Sequence, residues 1–210
     1  MKKLTKTELD NILELHKKWL LGEGEWVKAN LSNTDLFGAD LCYANLSNAN
    51  LSDANLRYAN LRYASLNNAD LRYANLRDAN LSGASLNNAD LHYANLRGAD
   101  LSGADLSNTN LHYANLRYAD LNNDDLNLVN WHEVKGIKVY VAGLQSSRNN
   151  AQLTYIPSLD IATTGCWQDT WENTIEQIHN VYNEDSRERK AYDLAIEYIN
   201  KQVELDSYEK

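Results

Sequence analysis

Leucine recurs at every fifth position from Leu31 to Leu126, twenty times in succession, and this spacing organises the middle of the chain. Two residues before each Leu stands a small residue, Ala in seventeen cases, with Thr34, Thr109 and Asp124 in the others. Asn, Asp or Ser fills the place between. A period of five fits neither an α-helix, at ~3.6 residues per turn, nor a strand, which alternates. It marks a stacked repeat in which each unit buries its apolar residues against its neighbours. The flanks follow other patterns. Residues 7–21 put Leu9, Ile12, Leu13, His16, Trp19 and Leu20 on one helical face, with Thr7 and Asp10 as a capping pair and Gly22 and Gly24 ending the helix. Past Leu126 the phase runs on through Val129 and Trp131 and then changes. KVYVAGLQ and AQLTYIPSLDIATTG read as strands forming a hairpin around the polar SSRNN turn. Thr170 caps a helix with Trp171, Ile175, Ile178 and Tyr182 on one face. After the charged break EDSRERK, a second helix carries Ala191, Tyr192, Ala195, Ile196, Ile199 and Val203 on one side.

The A-[D/N]-L-x-x pattern resembles the pentapeptide-repeat family, over nearly half of the chain. That resemblance implies a right-handed, four-sided β-solenoid with Leu and the preceding small residue turned inward, four units to a coil. Twenty units then make five coils, about 24 Å long at ~4.8 Å per coil. The expected fold is mainly β: a capping helix in 1–28, the quadrilateral solenoid in 29–131 and a small α+β module in 132–210. Trp26 falls in the Leu phase, and the helix is expected to cover the open end of the Leu column. LHKKWL and TGCWQDTWE also resemble segments of pentapeptide-repeat proteins common in bacteriophage genomes.

With four units per coil, residues twenty apart stack. One face then carries Phe37, Arg57, Arg77, Arg97 and Arg117. Another carries Arg72, His92 and His112 beside Tyr73, Tyr93 and Tyr113. A third stacks Asn48, Asn68, Asn88 and Asn108, flanked by Ser47, Asn67, Asn87 and Ser107, and reads as a hydrogen-bonded ladder. The Arg column is either a solvated face relieved by Asp78, Tyr58 and Tyr118, or, with Tyr73, Tyr93 and Tyr113, a basic aromatic-edged stripe for an acidic protein surface. His92 and His112 have no carboxylate or Cys column at their height, so no metal is expected there.

Charge and composition narrow the function. The formal net charge is −9, and residues 29–128 hold six Arg against eleven Asp. An acidic chain without a basic block is a poor direct holder of nucleic acid. Two cysteines, no apolar secretory core and no apolar run of ~18 residues point to a cytoplasmic protein without a membrane span. No glycine-rich phosphate loop, G-x-S-x-G, H-E-x-x-H or C-x-x-C is present, so neither an enzyme nor a cofactor is expected. A Cys166/His179 nucleophile is the weakest reading. The family resemblance implies a protein that binds or inhibits a nucleic-acid-processing enzyme, such as gyrase or a host defence nuclease, through partial DNA mimicry. The alternative is an adaptor whose solenoid presents the C-terminal module, whose apolar helices could also pair two chains.

Overall fold

The computed structural model describes residues 1–23, 27–122, 124–144, 152–165 and 167–207. Trp26, the SSRNN turn and Cys166 lie outside them. The chain folds as two compact units, residues 1–125 with 129–136, and residues 126–128 with 137–210.

In the first unit every five-residue repeat makes one turn and one bridge. The Ala N–H donates to the carbonyl of the Leu three residues earlier, at 2.8–3.1 Å across the repeats. The second residue after each Leu takes a left-handed backbone, with φ between +53° and +70° at every repeat from Asn33 to Tyr118. A positive φ at this turn position is the signature of a type II turn. Bonds between coils join residues near i and i+20. Leu51 N–H donates to the Asp70 carbonyl (2.7 Å), Asp53 N–H to the Arg72 carbonyl (2.9 Å), and Asp70 N–H returns to the Ala49 carbonyl (3.0 Å). Parallel bridges repeat this register from Asn30↔Asn50 to Asn115↔Lys135. All twenty repeat leucines are buried, none more than 3 % exposed; Trp131 continues their phase and Val129 that of the alanines, and both are buried.

The residue between Ala and Leu has its own task. Its side-chain Oδ1 accepts the backbone N–H two residues on, as Asn45 does from Ser47 (3.1 Å) and Asp90 from His92 (3.1 Å). This is the one N–H that the turn and the ladder leave over, which explains why Asn and Asp dominate the position. At several of these positions the Asn amide also donates along the axis: Asn55 to Asp35 (2.8 Å), Asn60 to Asp40 (3.0 Å), Asn110 to Asp90 (2.9 Å). The axial ladder therefore does not run through Asn48, Asn68, Asn88 and Asn108. Those residues occupy left-handed corners, and their neighbours make the inter-coil bonds, Ser47 to Ser65 (2.7 Å) and Asn87 to Ser107 (2.6 Å).

At the N-terminal edge β1 (Lys2–Lys3) pairs in parallel with β2 (Thr34–Asp35) on the first coil. Between them runs α1 (Lys6–Leu20). Its cap is Thr5, not Thr7: Thr5 accepts from Glu8 N–H, and the Glu8 carboxylate accepts Thr5 N–H at 2.8 Å. Glu at N3 reaches back to the cap as the shorter Asp10 side chain does not, so T-x-x-E at 5–8 is the working box. His16 is fully buried, and its Nδ1 accepts the Ala29 N–H at 3.1 Å. Burial pushes its pKa below the usual imidazole value, partly offset by the Ser47 carbonyl. One neutral imidazole thus covers first-coil polar groups that have no coil above them.

The second unit is a four-stranded antiparallel sheet in the order β3 (Tyr140–Gly143), β4 (Gln152–Ile156), β5 (Ile161–Thr164), β6 (Trp167–Asp169). Pro157 and the residues after it divide what reads as one long apolar run into β4 and β5, since proline cannot donate to a ladder. Helices α2 (Trp171–Val181) and α3 (Arg187–Ser207) follow, with Thr170 accepting from Asn173 N–H at 3.3 Å. The charged RERK segment lies inside α3 rather than in the break before it. Ala142, Leu153, Ile178, Ala195 and Ile199 form the core.

Candidate binding faces of the solenoid

The structure stacks Arg57, Arg77, Arg97 and Arg117 in register, as twenty-residue spacing requires, and gives three of the guanidiniums separate partners. Arg57 lies over the Phe37 ring (5.8 Å) and the Tyr58 ring (5.6 Å). Arg77 Nε donates to Asp78 (3.1 Å), and Arg97 lies over Tyr118 (5.4 Å). Arg57 and Arg77 are half-buried, whereas Arg97 and Arg117 are exposed. Cation–π contact and one ion pair relieve the repulsion of stacked like charges.

Tyr73, Tyr93 and Tyr113 belong to a different face. Their rings stack at 5.2 and 4.7 Å, within 10° of parallel, and they pack against histidines rather than against the Arg column. His92 and His112 are joined there by His132, whose Nδ1 lies 2.8 Å from His112 Nε2. His132 follows His112 by twenty residues but lies beyond the last Leu repeat, and only the coil phase, carried past that Leu, exposes it. Arg72 stands at the foot of this column, bonded to both oxygens of Asp70 (2.8 and 2.7 Å). That contact holds the Asp70 carboxyl below the usual range. The seven candidate residues therefore form two strips on two consecutive repeats of each coil, not one stripe.

A model of pentapeptide repeats matches the chain in overlapping segments at residues 29–68, 49–88, 64–103 and 89–127. The chain belongs to the pentapeptide-repeat family. Members of that family fold as right-handed β-helices. Among solved structures, the pentapeptide repeat protein Rfr23 from the cyanobacterium Cyanothece 51142 is 29% identical, with a TM-score of 0.52, over 60% of this chain and 98% of that one. HetL, a pentapeptide repeat protein involved in heterocyst differentiation regulation from Nostoc sp. strain PCC 7120, is 40% identical over 52% of this chain and 56% of its own, with a TM-score of 0.28. QnrB1, a plasmid-mediated fluoroquinolone resistance protein, is 24% identical over 52% of this chain and 65% of its own, with a TM-score of 0.27. No curated protein sequence matches the chain significantly.

The repeat also fixes where the acids go. Of the eleven Asp in the coils, seven (Asp35, Asp40, Asp70, Asp90, Asp100, Asp105 and Asp120) accept a backbone N–H two residues on. One of their oxygens is committed to the fold. Asp78 pairs with Arg77, and Asp124 is turned inward. Most of the negative charge is thus explained by turn chemistry. In the second unit His179, the suggested partner of Cys166, has its Nε2 3.3 Å from Asp193 and caps a contact between α2 and α3. No helix among the described residues is long and apolar enough to cross a membrane.

Proposed function

We propose that the protein acts by binding another protein through the outward faces of its solenoid. The observation that carries this reading is the placement of seven tyrosines, at 43, 58, 63, 73, 93, 113 and 118, in left-handed corners. Bulky residues are disfavoured there, at about 1–2 kcal/mol each. Six of the seven are exposed, up to 80 % at Tyr118. Tyrosine and arginine are enriched among the residues that dominate the energetics of protein interfaces, and tyrosine buries large area at little entropic cost. Arg57, Arg77, Arg97 and Arg117 with Phe37, Tyr58 and Tyr118 form one such surface, and Tyr73, Tyr93 and Tyr113 with Arg72 form the second.

The partner class we infer is an enzyme acting on nucleic acid, such as gyrase or a host defence nuclease, blocked by a phage-encoded cytoplasmic inhibitor. The Asp arrangement favours docking by aromatic and basic side chains over mimicry of a duplex. Gyrase supercoiling, assayed at micromolar protein, tests that target, and unchanged supercoiling removes it. Affinity capture from a bacterial lysate tests the wider reading. A partner retained by the wild type and lost on changing Arg57, Arg77, Arg97 and Arg117 to Glu supports it. Retention by the variant as well excludes the Arg surface.

The separate cores of the two units favour a second reading, in which the solenoid is an adaptor for the α+β module or a pair of such modules.

A further inference from the structure

The face of Tyr73, Tyr93 and Tyr113 carries chemistry that simple docking leaves unused. His92, His112 and His132 stand in line with ring centroids 4.8 and 4.6 Å apart. Their backbones are fixed by the Asp90↔Asn110 and Asn110↔Asn130 bridges. Each backbone N–H is held by the Asx oxygen two residues earlier, at 3.1, 3.2 and 3.2 Å. Tyr93 packs on His92 at 4.4 Å and Tyr113 on His112 at 4.2 Å. The rings therefore cannot separate without leaving the strip. The 2.8 Å contact between His132 Nδ1 and His112 Nε2 needs one of the two nitrogens to lack its proton. Two imidazolium rings could not keep it.

The charged and titratable groups facing the column are few. Arg72 stands at its foot, shared between Asp70 and Asp90, with Asp90 Oδ2 3.8 Å from Nε. Glu133 follows His132 in the chain, and the three tyrosines lie alongside. Among the described residues the ion pair involving an imidazole is that of His179, while Glu133 acts on His112 without an ion pair. We propose that His92, His112 and His132, with Arg72 below and Tyr73, Tyr93 and Tyr113 beside them, form a proton-gated docking strip for an acidic segment of a protein. At neutral pH the strip is internally bonded, and its one fixed cation, Arg72, is paired with Asp70 and Asp90. In acid the hydrogen bond between His112 and His132 is lost, and each imidazole that takes up a proton adds a positive charge. Like charges this close disfavour one another. The pKa of His112, flanked on both sides, is lowered by burial and then by His132 and His92, against an opposing effect of Glu133. A short acidic segment suits the strip better than a duplex, because the coils around it hold eleven Asp against six Arg and repel an extended polyanion.

This inference rests on the binding function proposed above, and its test separates the two. Fluorescence anisotropy of a labelled ten-residue oligoglutamate peptide is measured at pH 7.5 and 5.5, with circular dichroism reporting an intact coil. Binding should be about ten-fold or more tighter at the lower pH. Changing His92, His112 and His132 together to Gln should remove that step, while changing Arg57, Arg77, Arg97 and Arg117 to Glu should leave it. Equal binding at both pH values, or a step that survives in the Gln variant, overturns the proposal. A duplex oligonucleotide bound as well as the peptide overturns the assignment to an acidic protein segment. Imidazole proton NMR gives an independent reading: three identical titrations near pH 6.5 exclude the coupled column. A pH step lost in the Gln variant, in a protein that captures no partner from lysate, would leave the strip standing and remove the wider binding function.

Discussion

Seven tyrosines sit where the backbone favours glycine or asparagine, and stacking offsets part of the strain. Tyr43 on Tyr63 (5.3 Å) and the Tyr73–Tyr93–Tyr113 column supply aromatic pairs worth about 0.5–1.5 kcal/mol each. Gly83 shows the same corner without a ring. It has φ +64°, and a Cβ there would run into the Tyr63 ring, whereas Gly38, at the same φ, has open space. Gly83→Ala is expected to lose about 1–2 kcal/mol more stability than Gly38→Ala in thermal unfolding, since both share the backbone strain and one adds a clash. Asp124 is the other exceptional residue. It stands at an inward Ala position, 1 % exposed, and accepts the Ala104 N–H at 3.0 Å. Burial raises its pKa to about 8. The folded chain therefore holds this proton more tightly than the unfolded one, for which the value is 3.8. Its stabilising contribution is complete below about pH 4 and is lost as pH rises to about 8. Asp124→Asn should match the wild type near pH 4 and exceed it by several kcal/mol above pH 8, at ~1.36 kcal/mol per pK unit. Parallel stability curves would refute this account.

At the scale of elements, a coil is stable only if its edges are covered, and on α1 the buried His16 accepts the Ala29 N–H of the first coil. Protonation of that imidazole would place a charge in a buried site and remove the acceptor for Ala29 N–H. Its folded pKa is depressed, so the unfolded chain binds the proton more readily. The stabilisation is present above pH ~6.5 and is lost as pH falls below that value. His16→Asn is expected to destabilise the solenoid at pH 7.5 by about 1–3 kcal/mol and to reduce the acid-side loss in chemical denaturation. The helix itself was legible in the apolar spacing of Leu9, Ile12 and Leu13. Its cap was legible too, since T-x-x-E at 5–8 fits the capping box better than T-x-x-D at 7–10. The part played by His16 was not, because a histidine on an apolar face looks the same whether it packs or accepts a hydrogen bond from another element. The axial ladder shows the same limit. Stacked Asn48, Asn68, Asn88 and Asn108 suggest a ladder, but the axial side-chain bonds run through the Asx before Leu, as from Asn55 to Asp35, and through Asn87 to Ser107.

At the scale of the molecule, the ladder extends past the last Leu repeat. Leu116 N–H donates to the Lys135 carbonyl at 2.8 Å, and Trp131 is buried. A truncation after residue 131 would strip that partner, whereas one after Gly136 keeps it. A chain of residues 1–136 should fold with the circular dichroism of a β-coil and retain any partner that docks on the solenoid. An adaptor would lose its function in the same truncation. The sequence by itself determined the repeat, its inward Leu column and the vertical alignment of residues twenty apart, because all three follow from one period along the chain. The tertiary structure decided which aligned residues touch. It gave Arg57, Arg77 and Arg97 separate partners, brought His132 onto His112, and committed most of the acids to turns. Side-chain direction at a left-handed corner, and hydrogen bonds across coils, depend on geometry that no linear period contains.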